Sequence, residues 1–219
     1  MAAPKGGTKA RILNAAESLF ASKGIDGTST RAIVSKSGDT VGSLAYHFGS
    51  KENLIAEVIV RRWETMTEDR RRAYREAVAV SAPEPPSLET TVSCIVVPYL
   101  ERAMNGDRGW RNYAMLIVRL LNADKRTQRR FEPLMTPASQ EFIGWLIAAI
   151  PHGKLEDIGY AYEFMVGSMI EACAEATHNR LNKLTDGTCD PSNFDAVSPR
   201  LVRFIVGGIE SVVEGGRGG

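Results

Sequence analysis

The chain has 219 residues, 43% of them hydrophobic and 24% charged, with a formal net charge of +1. This composition suits a soluble globular protein large enough to bury a sizeable core, and no uncharged apolar run approaches the roughly 18 residues needed to span a bilayer. The opening MAAPKGGTKA holds no apolar signal segment, and three widely spaced cysteines (Cys94, Cys173, Cys189) match no metal pattern. Both observations point to free thiols in a reducing cytoplasm, with no membrane partner.

Residues 1–7 are small, polar and glycine-rich and are expected to form a flexible arm. The spacing of Ile12, Ala15, Ala16, Leu19 and Phe20 predicts a helix from Thr8 to Lys23, closed by Gly24. The stretch 28–54 then reads as two short helices across a tight turn. Ser29 caps the first, about Thr30 to Lys36, and Gly38, Asp39 and Thr40 make the turn. Thr40 caps the second, Val41 to Phe48; Gly49 ends it, and Ser50 caps the helix that follows. Leu44 and Phe48, one turn apart, face inward, leaving Thr40, Val41, Ser43, Tyr46 and His47 outward. This is the outline of a helix-turn-helix, whose second helix enters the DNA major groove, although the shape also occurs in proteins that never touch DNA. Residues 1–55 carry a net +3 and the remainder −2, a slight bias towards a nucleic-acid module at this end.

A long helix follows, from residue 51 to about 80, with Leu54, Ile55, Val58, Ile59 and Trp63 on its apolar face. Its arginines (61, 62, 70, 71, 72, 75) alternate with Glu64, Glu68, Asp69 and Glu76, which reads as an exposed face of i,i+3 and i,i+4 ion pairs. The run Ser81 to Pro86 breaks the chain. Further helices are predicted over Ser87–Asn105, with Pro98 inside, and over Arg108–Asn122, apolar nearly all round and therefore expected at a core centre. After the basic segment Lys125 to Arg130 come helices over Thr136–Ile150, Leu155–Leu184 and Pro199–Val213, and a flexible tail, 214–219. The fold class is all-α. Its parts are an arm (1–7), a small three-helix domain (8–55), a larger helical domain (56–213) and the tail. The three histidines (47, 152, 178) have no metal-ligand spacing, and no phosphate loop, dinucleotide fingerprint or nucleophile elbow is present. Neither a cofactor nor a metal nor an enzymatic reaction is indicated.

Residues 8–60 resemble the N-terminal domain of the tetracycline-repressor (TetR) family of bacterial transcription regulators. The resemblance rests on AAESLFASKGIDGTST in the first helix and its exit, on Arg31, Ile33 and Gly38, and on the run from Gly42 to Leu54 containing YHFGSKENL. It implies phosphate contacts from Thr30, Thr40, Tyr46, His47 and Lys51, and base contacts from Val41, Gly42 and Ser43. It further implies a homodimer bound to a palindromic operator and released by a small, largely apolar effector. Candidates for the effector pocket are Tyr99, Trp110, Tyr113, Arg119, Phe142, Trp145, Tyr162, Met165 and Met169, with Arg119 as polar anchor. Candidates for the dimer interface are Gly167, Ala174, Leu201, Ile205, Gly208, Ile209 and Val212. The sequence departs from the family pattern at Asp39, read here as a helix cap, and at Ala45. A repressor is the first reading; a DNA-binding activator, and a helical carrier or enzyme with a vestigial helix-turn-helix, stay open.

Overall fold

The computed structural model describes residues 7–215; residues 1–6 of the expected arm (1–7) and 216–219 of the expected tail (214–219) lie outside the described residues, while Glu214 and Gly215 belong to the last helix rather than to a tail. Among the described residues there are ten helices and no strand: α1 (Thr8–Lys23), α2 (Thr30–Ser37), α3 (Val41–Phe48), α4 (Lys51–Ser81), α5 (Leu88–Asn105), α6 (Arg108–Leu121), α7 (Lys125–Ala149), α8 (Leu155–His178), α9 (Arg180–Leu184) and α10 (Phe194–Gly215). They divide into two compact units, formed by the described parts of Met1–Glu64 with Gly106–Phe131 and of Thr65–Asn105 with Glu132–Gly219. Helices α4 and α7 each contribute residues to both.

In the first unit Ile12, Ala16, Phe20, Ile33, Leu44, Phe48, Leu54 and Val58 form a core built from α1 to α3 and the start of α4. Helix α6 joins it, packed along α1. This corrects the expectation of an all-round buried helix. Trp110, Tyr113, Ala114, Leu116, Ile117 and Leu120 are buried, whereas Arg108, Arg111, Arg119 and Leu121 are exposed.

In the second unit α5, α8 and α10 pack on one another, with Val92, Ile95, Leu100, Phe142, Leu146, Met165, Met169, Val202, Ile205 and Ile209 buried. The arginine-rich face of α4 differs from its expected exposure. Arg70 is 3% exposed: its Nε donates to the Ile95 carbonyl at 2.7 Å, and its guanidinium lies 5.2 Å from the Phe142 ring centre and 5.5 Å from that of Tyr99. Asp69 is buried too and joins Arg72 (2.9 Å) to Arg102 of α5 (2.7 Å). Arg71 makes a pair with Glu141 of α7 at 2.7 Å. The charges therefore tie α4 to other helices more than to its own turns.

Three helix boundaries differ from the sequence reading. The helix expected over 155–184 stops at His178, where Asn179 turns left-handed (φ 53°), and the Glu175 carboxylate accepts the Leu181 N–H beyond the break. The last helix starts at Phe194 rather than at Pro199 because Asn193 Oδ1 accepts the Ala196 N–H (3.1 Å), an N-cap; it then runs through Pro199 to Gly215. Helix α7 starts at Lys125, with the Gln128 N–H on the Asp124 carbonyl, and carries Pro133 and Pro137 internally.

Cys94 and Cys173 are buried and Cys189 half-buried. Burial raises the Cys94 thiol above its ordinary range and pushes Cys173 up to about 12. Native protein treated with a thiol reagent near neutral pH should therefore take up one equivalent rapidly, at Cys189, and the remaining two only on unfolding; peptide mass mapping of the labelled site checks this.

Candidate DNA-reading surface

The turn between α2 and α3 is built from local hydrogen bonds. The Ser29 side chain accepts the Ala32 N–H (3.2 Å) and opens α2. Gly38, at φ 74°, occupies the left-handed region that a side chain would strain, and its N–H closes α2 on the Val34 carbonyl. Thr40 is extended, and its Oγ1 accepts the Ser43 N–H (3.1 Å) while lying 3.0 Å from Ser43 Oγ. Leu44 and Phe48 point into the core at 3% and 4% exposure. Ser50 Oγ accepts the Asn53 N–H, and the Asn53 side chain returns a hydrogen bond to the Phe48 carbonyl, fixing the exit of α3 against the start of α4.

Thr40, not Asp39, thus caps α3. Asp39 instead forms an ion pair with Arg11 of α1, Nη2 to Oδ1 at 2.5 Å, with only 6% of its side chain exposed. The Arg11 hydrogen bond holds the Asp39 carboxyl below the ordinary aspartate range, against the opposing effect of its burial. The pair therefore contributes to stability at neutral pH and loses that contribution only as the pH falls through this lowered value.

The site residues expected from sequence fall as follows. Val41, Gly42 and Tyr46 are exposed, Tyr46 to 86%; Thr40 is exposed; Ser43, His47 and Thr30 are half-buried. Lys51 is half-buried, with Nζ donating to the Ile25 carbonyl at 2.7 Å, so it ties the head of α4 to the α1–α2 connection. Of the pocket candidates, Trp110, Tyr113 and Arg119 lie in the first unit and Tyr99, Phe142, Trp145, Tyr162, Met165 and Met169 in the second. Trp145 stacks on Tyr74 (centroids 4.1 Å apart) and lies 4.8 Å from Phe142. Among the interface candidates, Ala174, Ile205 and Ile209 sit in the chain's own core, Leu201 and Val212 are half-buried, and Gly167 and Gly208 are exposed.

Sequence reasoning missed the group that holds the reading helices in place. Glu17 of α1 is 2% exposed and accepts hydrogen bonds from Arg61 (2.7 Å) and Arg62 (3.1 Å) of α4. The Arg62 guanidinium also lies 4.7 Å from the Trp110 ring centre of α6. At the other end of α6, Arg119 donates to the carbonyls of Ala21 (2.8 Å) and Ser22 (3.2 Å), at the end of α1. A lone acid beside the apolar stripe of the first helix and an Arg-Arg doublet in α4 were the only signals available. Gly109 permits the close approach: a Cβ there would lie 1.9 Å from Arg62 Nη2 and 2.9 Å from Glu17 Oε1. Gly109→Ala should displace this cluster and lower stability by about 1–3 kcal/mol, as for overpacking in general; a shifted urea midpoint of the first unit, followed by Trp110 fluorescence with Trp63 and Trp145 replaced by Phe, checks it.

Among the described residues no group of three or more His, Cys, Asp or Glu could hold a metal ion, and no helix is long and apolar enough to cross a membrane. Residues 12–58 match the model of the bacterial regulatory proteins of the tetR family, and residues 93–208 match that of the tetracyclin repressor-like C-terminal domain. The chain is 34% identical to the HTH-type transcriptional repressor KstR2 of Rhodococcus jostii over 89 residues, 41% of this chain and 42% of that one. It is 43% identical to the HTH-type transcriptional regulator QacR of Staphylococcus aureus over 51 residues, 23% of this chain and 27% of that one. These matches thus span less than half the length of either relative. Two solved structures share the fold across most of their length. The fatty acid degradation regulator FadR of Bacillus halodurans has a TM-score of 0.68 at 15% identity, covering 94% of this chain and 97% of that one. GusR of Salmonella enterica has 0.55 at 20% identity, covering 94% and 95%.

Proposed function

Because this chain belongs to the TetR family of bacterial transcription regulators, we propose that it is a cytoplasmic, homodimeric repressor that binds a palindromic DNA operator and leaves it when a small apolar effector binds the second unit. The observation that carries this reading is the family match over residues 12–58 falling on a correctly capped turn whose second helix is outward-facing. Helix α3 enters the major groove, with Val41 and Gly42 nearest the bases. Thr30, Thr40, Tyr46 and His47 lie around it to meet phosphate oxygens, and the Lys51 ammonium keeps donors for the same purpose after its bond to Ile25. Ser43 lies at the same helix start, with its hydroxyl within the Thr40 cap.

A second copy supplies the other half of a palindrome. Exposed on α8 are Tyr160 (58%) and Phe164 (59%), one turn apart and next to Gly167; on α10, Phe204 (69%) is followed by Gly207 and Gly208. Three aromatic side chains this exposed, beside glycines that allow close approach, are the dimer face of this reading. Effector binding among Tyr99, Phe142, Trp145, Tyr162, Met165 and Met169 would shift the balance between DNA-competent and incompetent dimers.

Selection of binding sequences from a randomised duplex pool tests the function. An enriched sequence with two half-sites is expected, and a folded dimer that enriches nothing at moderate salt overturns the proposal. On the selected operator Tyr46→Phe should weaken binding by about 2- to 10-fold regardless of half-site sequence, the loss of one phosphate hydrogen bond, as measured by fluorescence anisotropy. Phe164→Arg combined with Phe204→Arg should give a monomer by sedimentation with an unchanged helical spectrum, because all four exposed charges would have to be desolvated in the dimer.

A further inference from the structure

The outward face of α3 has almost no means of exchanging hydrogen bonds with a base. Its exposed positions are Val41 (50%), Gly42, Ala45 and Tyr46 (86%), with Leu44 and Phe48 turned inward. Val41 and Ala45 are one helical turn apart and share a stripe. The hydroxyl between them in the chain, Ser43 Oγ, is 3.0 Å from Thr40 Oγ1, inside the cap that starts the helix. None of the residue types that pair bidentately with guanine or adenine stands between Val41 and Tyr46. Gly42 removes the side chain that would hold this stripe away from a groove floor; a Cβ there would meet nothing closer than Thr40 Oγ1 at 3.7 Å, so no packing within the chain requires the glycine.

One feature of the major groove needs no hydrogen bond to be read, the C5 methyl of thymine, and it distinguishes thymine from cytosine and from every minor-groove pattern. Resting on the reading that α3 enters the major groove, we propose that this protein recognises its operator through thymine methyl groups packed against Val41 and Ala45, and that this apolar contact sets its base preference rather than a hydrogen bond from Ser43. The capped, half-buried Ser43 positions the helix start. The methyl-bearing stripe beside it makes the selective contact, and Gly42 lets the backbone come close enough for that contact to be dry.

The test uses the operator obtained by selection. Each thymine is replaced singly by deoxyuridine, which keeps every hydrogen-bonding edge and removes only the methyl, and affinity is measured by fluorescence anisotropy with the full chain. One or two thymines in each half-site should lose about 4-fold on replacement, the worth of one buried methyl, and the others should change by less than about 2-fold. Val41→Ala, at an exposed position that leaves folding intact, should reduce the difference between thymine and deoxyuridine at one of those positions, because an alanine keeps only part of the apolar contact. At that position 5-methylcytosine should bind better than cytosine. An operator with no methyl-sensitive thymine, or a Val41→Ala protein with undiminished sensitivity, overturns the inference while leaving sequence-specific DNA binding standing. A pool that yields no enriched sequence overturns the regulator reading itself, and this inference with it.

Discussion

The arrangement of the first unit depends on one buried carboxylate. Glu17 has been taken almost wholly out of water, and a charge so placed is tolerable only beside opposite charge with its lone pairs satisfied. Arg61 and Arg62 provide both. Since the acid comes from α1 and the bases from α4, the two helices have little freedom to slide along one another. Since Arg62 also covers Trp110, α6 is set by the same group. Without Arg61 the carboxylate keeps Arg62 on both of its oxygens; removing both arginines would leave a desolvated charge, which is a larger penalty than the pairs themselves contribute. A domain of about fifty residues with three short helices has too little core to be firm alone. Helix α6, arriving from much later in the chain, supplies the missing wall.

The same logic operates on a smaller scale at the turn. The Arg11–Asp39 pair links the beginning of α1 to the loop preceding α3, and Lys36 of α2 donates to Ser18 of α1 at 2.8 Å. The reading helix is only eight residues long, too short to be stable by itself. Its direction comes from its cap, from Leu44 and Phe48 in the core, and from these polar ties at its entrance. An acid at the turn, which by itself would repel phosphate, is thereby turned inward and neutralised.

How much of this could be read from sequence follows from the range of the interactions. Caps at Ser29, Thr40 and Ser50, the breaks at Gly24 and Gly49, and the inward pair Leu44 and Phe48 are local, and each was legible within a few residues. The family-specific run ending in Asn53-Leu54 supplied the family. What could not be read depends on contacts between helices. Asp39 meets Arg11 twenty-eight positions away, and Arg119 reaches Ala21 ninety-eight positions away. Periodicity reports which face of a helix is apolar; it does not report that Arg70 goes inward between aromatic rings, because an arginine in a charged run looks like its neighbours. The end of α8 and the start of α10 were missed for a related reason. Glu175 and Asn193 act there as side-chain partners for N–H groups, and Pro199 was a louder but misleading signal.

The Glu17 cluster has an optical consequence. Its aromatic member, Trp110, has a guanidinium 4.7 Å from the centre of its ring, and the emission of an indole shifts with the field of a charge held that near. Any loosening of α6 from α1 changes the distance from that charge to that ring. The first unit therefore carries a native chromophore at the point where its helices are locked together, and the colour of the Trp110 emission, separated from that of Trp63 and Trp145, reports whether the lock is closed.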